Sequence, residues 1–377
     1  MKKNAMLLIL AFSCIGMNAQ WKSYPTNAKF VTHMYEDKQG NVWFLNRESL
    51  SRSCLVKFNG QQVENLKTLD KARTDCVFEM LEGPDGKLYA ATMYGLAVCD
   101  NGQWSVKDNN NGLPANLVKD AHFDKNGTLW LFHAKGFNSG IVGKYTNGTY
   151  EPVNMEGHTG RAIRTVFEDR DGNIWTGMHL GNAASFDGTK WTDHTAAAKC
   201  KHVSQIAQDT KGRIWIAGIE GQFACLDNGN WKSFKYGSGY FSPYSAPLMI
   251  IALVPGIIAG YAGPDITSWG DLVTDSNSDA WMLARKYGVA VSDGNDYESA
   301  EKKYQAPKTK KATDIMTDSK GNIWMSLSTG EVYKYDFSNW TVYNQKDGLP
   351  AKLTAIFETE NGDIWVAGKN NIAVLNK

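Results

Sequence analysis

Hydrophobic positions in this chain come in short alternating runs, each closed by an acidic residue and a tight turn. The clearest copy is Glu168-Asp169-Arg170-Asp171-Gly172-Asn173-Ile174-Trp175, preceded by the alternating run Ala162-Ile163-Arg164-Thr165-Val166-Phe167. Alternation of period two marks a half-buried strand. In the turn, Asp hydrogen-bonds the backbone two residues on, and Gly accepts the positive φ of a tight hairpin. A β-branched residue and a Trp then open the return strand, where a large ring fills the space between packed sheets.

The same turn returns at 37–43, 124–130, 209–215, 318–324 and 359–365, each time ending in Trp. Two copies are degenerate: 84–89 ends in Tyr, and 275–281 has lost its Gly. The eight anchors are Trp43, Tyr89, Trp130, Trp175, Trp215, Trp281, Trp324 and Trp365. After Trp175 come Ala183-Ala184-Ser185-Phe186, the turn Asp187-Gly188 and Trp191-Thr192-Asp193-His194, so a unit reads as four short strands. The second aromatic follows its anchor by 16 residues at Trp191, Trp231 and Trp340. Four strands about every 40 residues, with turn signals between them, is the pattern of a propeller blade. That period overrides the two-domain expectation raised by a length of 377.

The last unit reaches Lys377 before its fourth strand, while Trp21-Lys22-Ser23-Tyr24 belongs to no unit and reads like 191–194. The expectation is an all-β fold over 20–377: an eight-bladed β-propeller of four-stranded antiparallel blades, with the N-terminal strand joining the last blade. Without that closure two blades would meet at unpaired strand edges.

One unit breaks the period, since Trp215 and Trp281 are 66 residues apart. The excess lies at 236–264, between blades five and six, and holds no charged residue. It is too short for a membrane span and is broken by Pro255-Gly256. It reads as a hydrophobic plug packed over the ring, with a ligand lid or a partner-docking loop as the alternatives.

Net charge is +1, and no basic block marks the chain for nucleic acid or anionic lipid. Residues 1–19 read as a secretory signal: a charged start, an apolar core from Ala5 to Phe12, and Ala19 before the cleavage point. Ser13-Cys14 offers an alternative lipoprotein reading, disfavoured by the short apolar stretch before it. Either way the protein is expected outside the cytoplasm, periplasmic or secreted. Removing Cys14 leaves Cys54, Cys76, Cys99, Cys200 and Cys225, an odd number placed on strands, which suits buried thiols better than a disulfide framework.

Asn111-Gly112-Leu113-Pro114-Ala115-Asn116-Leu117-Val118, followed by its Asp-x-x-Gly-x-x-Trp turn, resembles the two-component regulator propeller repeat, and 347–353 repeats it. The resemblance runs from Trp21 to Lys377 and implies a propeller of the kind used in periplasmic sensor domains, with a habit of binding carbohydrate. The chain shows no second propeller, spanning helix or kinase, so a sensor role implies a separate membrane partner.

Propellers bind at the channel mouth, where the second-to-third-strand loops and the blade-to-blade connections converge. Aligning the repeats places Asn46, Arg47, Tyr94, His133, His179, Glu220, Arg285, Tyr287, Ser328 and Lys369 in the first set of loops. Arg73, Asn116, Arg161 and Trp269 fall near the starts of innermost strands. Of these, Arg47, Tyr94, His133, His179, Arg161, Trp269, Arg285 and Tyr287 are the candidate ligand contacts. Aromatic faces beside hydrogen-bonding groups suit a sugar.

An alternative takes His133, His179 and Glu220 as acid, base or metal ligands of a propeller hydrolase or lyase. No nucleophile elbow, zinc-protease motif or phosphate loop supports catalysis. The leading expectation is therefore an exported, non-catalytic ligand-binding propeller of sensor type, without cofactor or metal, that takes a glycan or an envelope protein. A protein–protein scaffold acting through 236–264 is the third reading.

Overall fold

The computed structural model describes residues 20–26, 31–49, 52–60, 63–65, 77–134, 140–155, 163–178, 183–218, 221–236, 271–284 and 287–376. They form eight four-stranded antiparallel sheets. Seven sheets use four consecutive strands, and the eighth takes its outer strand from the start of the chain. Lys22–Pro25 pairs with Asn371–Leu375, in a register that sets Lys22 opposite Val374 and Pro25 opposite Asn371. The first strands of successive blades lie side by side around the whole circle, and that of blade eight touches that of blade one. The ring is an eight-bladed propeller, closed as the repeat count requires.

Each blade is organised by its turn aspartate. Asp318 Oδ1 accepts the N–H groups of Lys320 (3.0 Å) and Asn322 (2.8 Å), while Oδ2 accepts the indole N–H of Trp324 (2.8 Å). The same indole bond joins Trp43 to Asp37, Trp130 to Asp124, Trp175 to Asp169, Trp215 to Asp209 and Trp281 to Asp275, all within 2.7–2.9 Å. One side chain thus folds the turn and satisfies a donor carried into the core. The copy without Gly keeps this geometry because Ser278 adopts φ +67° in the glycine position. In blade two Gly83 replaces the aspartate, and Asp85 takes the hydroxyl of Tyr89 instead (2.9 Å).

The anchors pack between blades. Trp215 and Trp281 are wholly buried. A ring from the blade's own outer strand stacks on the anchor: His194 on Trp175 at 4.8 Å, Tyr343 on Trp324 at 6.1 Å, Tyr24 on Trp365 at 6.5 Å. The next blade presents another ring edge-on, as Trp231 does to Trp175 and Phe58 to Trp365. Lys57, Lys144 and Lys334, each paired across the sheet from its anchor, set an ammonium over the indoles of Trp43, Trp130 and Trp324. Burying one such ring contributes about 4–6 kcal/mol as an upper bound.

Polar bonds link the blades on the turn face. The backbone N–H of Lys38 donates to Glu82, Lys125 to Glu168 and Arg170 to Gln208, each 2.9 Å away in the following blade. Glu360 completes the circle by donating to Glu36 of blade one. On the opposite face the two Gly-Leu-Pro connections bury Leu113 and Leu349 in the inter-blade core. Between blades five and six, Arg213 is buried against Asp209 (2.7 Å) and donates to the carbonyls of Ser278 (2.7 Å) and Asp293 (2.5 Å).

The innermost strands do not simply alternate. In six blades the register slips near the start of the first strand. The bulge moves the next core residue three places on, so Val77 and Met80, Val118 and Ala121, Ala312 and Ile315 share the core side. The run at 162–167 is bulged in this way at Arg164.

Asp318→Ala removes both the turn acceptor and the partner of a buried indole. Urea denaturation should show a loss of about 2–4 kcal/mol, with the slope unchanged. A chain lacking 20–25 exposes the edge of Asn371–Leu375 and should self-associate, read by sedimentation.

Candidate functional site

The eight first strands line the channel, and the bulge puts one residue of each slipped strand out of the blade ladder at the mouth opposite the aspartate turns. These positions include Phe78, Lys119, Arg164, Thr313 and Thr354. Ser204 opens the corresponding strand of blade five, its N–H bonded to the Ala217 carbonyl. The hydroxyls of Ser204, Thr313 and Thr354 donate back to the second-strand carbonyls of Ala217 (3.4 Å), Ser326 (3.1 Å) and Ala367 (3.4 Å). On the other arc the Lys119 ammonium lies 4.2 Å from the Phe78 ring centre. The mouth therefore has one hydroxyl-lined arc and one cationic and aromatic arc.

The next residue along has a structural role. Asp314 accepts the N–H of Ile315 (2.8 Å) and, across the gap, that of Ile356 in blade eight (2.9 Å). Asp120 takes the N–H of Ala121 (2.8 Å) in the same way. Burial, then Glu79, pushes the Asp120 carboxyl well above the usual range, opposed by the Ala121 and Val166 backbone and by Lys119. His202, near the mouth in blade five, is held down to about 4 by burial and by the charges of Arg164 and Lys201.

The expected contacts are placed unevenly. Tyr94 lies half-buried in the second-to-third-strand turn of blade two, its N–H bonded to the Thr92 hydroxyl (3.0 Å). Tyr287 occupies the equivalent turn of blade six, where its N–H donates to Ala284 (2.7 Å) and its carbonyl accepts the Tyr236 hydroxyl (3.3 Å). Arg47 is in the strand Val42–Ser49, opposite Ser53, and its side chain is outside the described residues. His179, Glu220, Arg161, Trp269 and Arg285 are also outside them, as are 1–19 and the segment after Tyr236 through 264.

His133 is not in a loop at the mouth. It belongs to the strand Leu129–Ala134, on the same side as Leu129 and Leu131, which pack between blades two and three. Its ring is fully buried, edge-on to Tyr150 at 5.3 Å, and neither nitrogen has a hydrogen-bond partner. Burial lowers its pKa to about 4, opposed by the nearby Ala115 backbone. Of the trio His133, His179 and Glu220, the one described member is shut off from solvent.

Among the described residues, no group of three or more His, Cys, Asp or Glu could hold a metal ion. No described helix is long and apolar enough to cross a membrane. Cys99, Cys200 and Cys225 are free and buried, and burial raises the Cys200 and Cys225 thiols to about 12. The mouth residues Phe78, Lys119 and Arg164 were not foreseen. The signal available for them was the spacing of apolar residues three apart at the start of each unit.

Comparison with known proteins supports the repeat resemblance. Residues 26–48 match the two component regulator propeller family. No curated protein matches the chain. The chain is similar to Sqt1 of Chaetomium thermophilum at 12% identity, covering 95% of this chain and 98% of that one, with a TM-score of 0.63. A structure of YCF48 bound to D1 peptide matches at 13% identity over 95% of both chains, with a TM-score of 0.53. The extracellular domain of a B. thetaiotaomicron protein described as a hybrid two component system matches at 17% identity and a TM-score of 0.39. There the match covers 92% of this chain but 56% of that one, so this chain spans about half the length of such domains. These structures share the propeller fold.

A neutral buried His makes stability depend on acid. Above about 6.5 the His133 side chain is uncharged in folded and unfolded chains alike. As pH falls from there to about 4, only the unfolded chain takes up the proton, and stability drops. His133→Leu should remove a pH-dependent loss on the order of 3 kcal/mol, measured as urea midpoints at pH 7 and pH 4.5.

Proposed function

We propose that this chain is an exported, non-catalytic ligand-binding propeller of sensor type, which takes a glycan chain at the channel mouth. The observation that carries this reading is the lining of that mouth. Phe78 and the Lys119 ammonium stand on one arc, and Ser204, Thr313 and Thr354 on the other. A sugar presents a C–H face to an aromatic ring and hydroxyls to polar groups, so such a lining fits it. Binding without turnover is favoured because His133, the described member of the only trio with acid–base character, is buried in blade packing. As a sensor the propeller would hand its ligand to a separate membrane partner.

A second reading, a scaffold for an envelope protein, has support in the YCF48 propeller, which was solved bound to a peptide. The apolar segment 236–264 would be the natural contact for such a partner.

A glycan array probed with residues 20–377, run beside a pull-down from envelope extract, tests the two. The glycan reading expects selective array binding that Phe78→Ala weakens about tenfold, with melting unchanged. Binding left intact by Phe78→Ala, or capture of a protein with an empty array, would overturn it.

A further inference from the structure

Away from the channel lining, lysines from separate segments form an arc over blades seven and eight. Lys308, Lys310, Lys311, Lys352 and Lys369 are all exposed. None of them is ion-paired among the described residues.

The backbone beneath them is rigidly tied. Thr309 is fully buried, with its N–H and hydroxyl donating to Glu301 (2.9 and 2.7 Å) and its oxygen accepting the N–H of Val289 (2.9 Å). That pin leaves Lys308 and Lys310 exposed on either side. The Lys311 carbonyl takes the N–H and hydroxyl of Ser328 (2.8 and 3.1 Å). The Ser328 turn then meets blade eight, where a Cβ on Gly330 would stand 2.7 Å from the Ala351 carbonyl. Lys369 N–H donates to the Lys352 carbonyl (3.1 Å), an approach open only to glycine at 368, whose Cβ would lie 2.4 Å from that oxygen. Five ammonium groups are thus held along one continuous line of loops.

The neighbouring acids are engaged locally. Glu301 holds Thr309, Glu331 accepts the Thr329 hydroxyl, and Asp347 accepts the Asn344 N–H (2.8 Å). A chain of net charge +1 therefore carries a concentrated positive region here.

We propose that this arc is a docking surface for an acidic polysaccharide, separate from the channel mouth. Lysines are hydrated point charges that suit a flexible row of carboxylates or sulfates better than one fixed anion. The surface lacks what other partners need. Val342, on the outer strand Trp340–Tyr343, is the exposed large hydrophobic among the described residues, so no apolar anchor serves a protein hot spot or bilayer insertion.

Binding of the whole protein to polygalacturonate, followed by titration calorimetry at rising NaCl, tests this, with neutral dextran, poly-glutamate and phosphatidylglycerol vesicles as the other probes. The expected result is polygalacturonate binding that salt weakens, with dextran inert. Lys311→Ser/Lys352→Ser/Lys369→Ser should lose on the order of tenfold in affinity. Lys320→Ser, in an aspartate turn on the opposite face, should lose nothing, and Phe78→Ala should also bind as before, which separates this surface from the glycan mouth. If the triple variant melts early, Lys308→Ser/Lys310→Ser supplies the same comparison. Equal binding by the lysine variants and the wild type would sink the proposal, as would a preference for vesicles or poly-glutamate.

Discussion

The bond from an indole N–H to a turn carboxylate is the interaction on which the ring depends. A Trp driven between sheets by its area carries a donor that cannot be left unpaired without a penalty of about 1–3 kcal/mol. Asp318 meets that need with the oxygen left over from folding its own turn. The surface hairpin and the inter-blade core therefore form together. Where the aspartate is absent the pairing moves with it: Gly83 cannot accept a side-chain bond, and the anchor there is a tyrosine whose hydroxyl reaches Asp85. The degenerate copies obey the same physics as the regular ones.

Much of the architecture was legible because this bond has a fixed sequence spacing. Trp175 follows Asp169 by six residues in every regular copy, so counting anchors counted blades, and an orphan Trp21 with no anchor of its own located the closing strand. The site was less legible. A bulge adds one residue to a strand without changing its composition, and Arg164 reads as an alternating position until the register shift is seen. His133 was assigned to a loop by alignment of repeats, yet its strand runs through Ala134 and turns the ring into the core. The lysine arc escaped for a different reason. No segment that contributes to it is a basic block, because folding brings Lys311, Lys352 and Lys369 together from three parts of the chain.

The seam between blades five and six shows how the ring handles an interruption. Their anchors are separated by the longest stretch of chain, 66 residues, so the connection itself restrains them least. Where Asn173 and Asn322 merely brace their own turns, the corresponding Arg213 reaches into the neighbouring blade and donates to two of its carbonyls. A buried ion pair adds little net stability, but losing one member of it is expensive. Here it fixes the alignment of two blades that the covalent chain does not hold in register.

The outer strand of blade eight is borrowed from the far end of the polypeptide, and this has a topological consequence. With Lys22 opposite Val374, residues remote in sequence are neighbours in one sheet, and no blade is structurally first. A circular permutant that joins these neighbours by a short linker and reopens the chain at the exposed Asn147-Gly148 hairpin keeps every sheet complete. The propeller is in effect a bracelet, and its clasp sits inside one link where the others are joined between links.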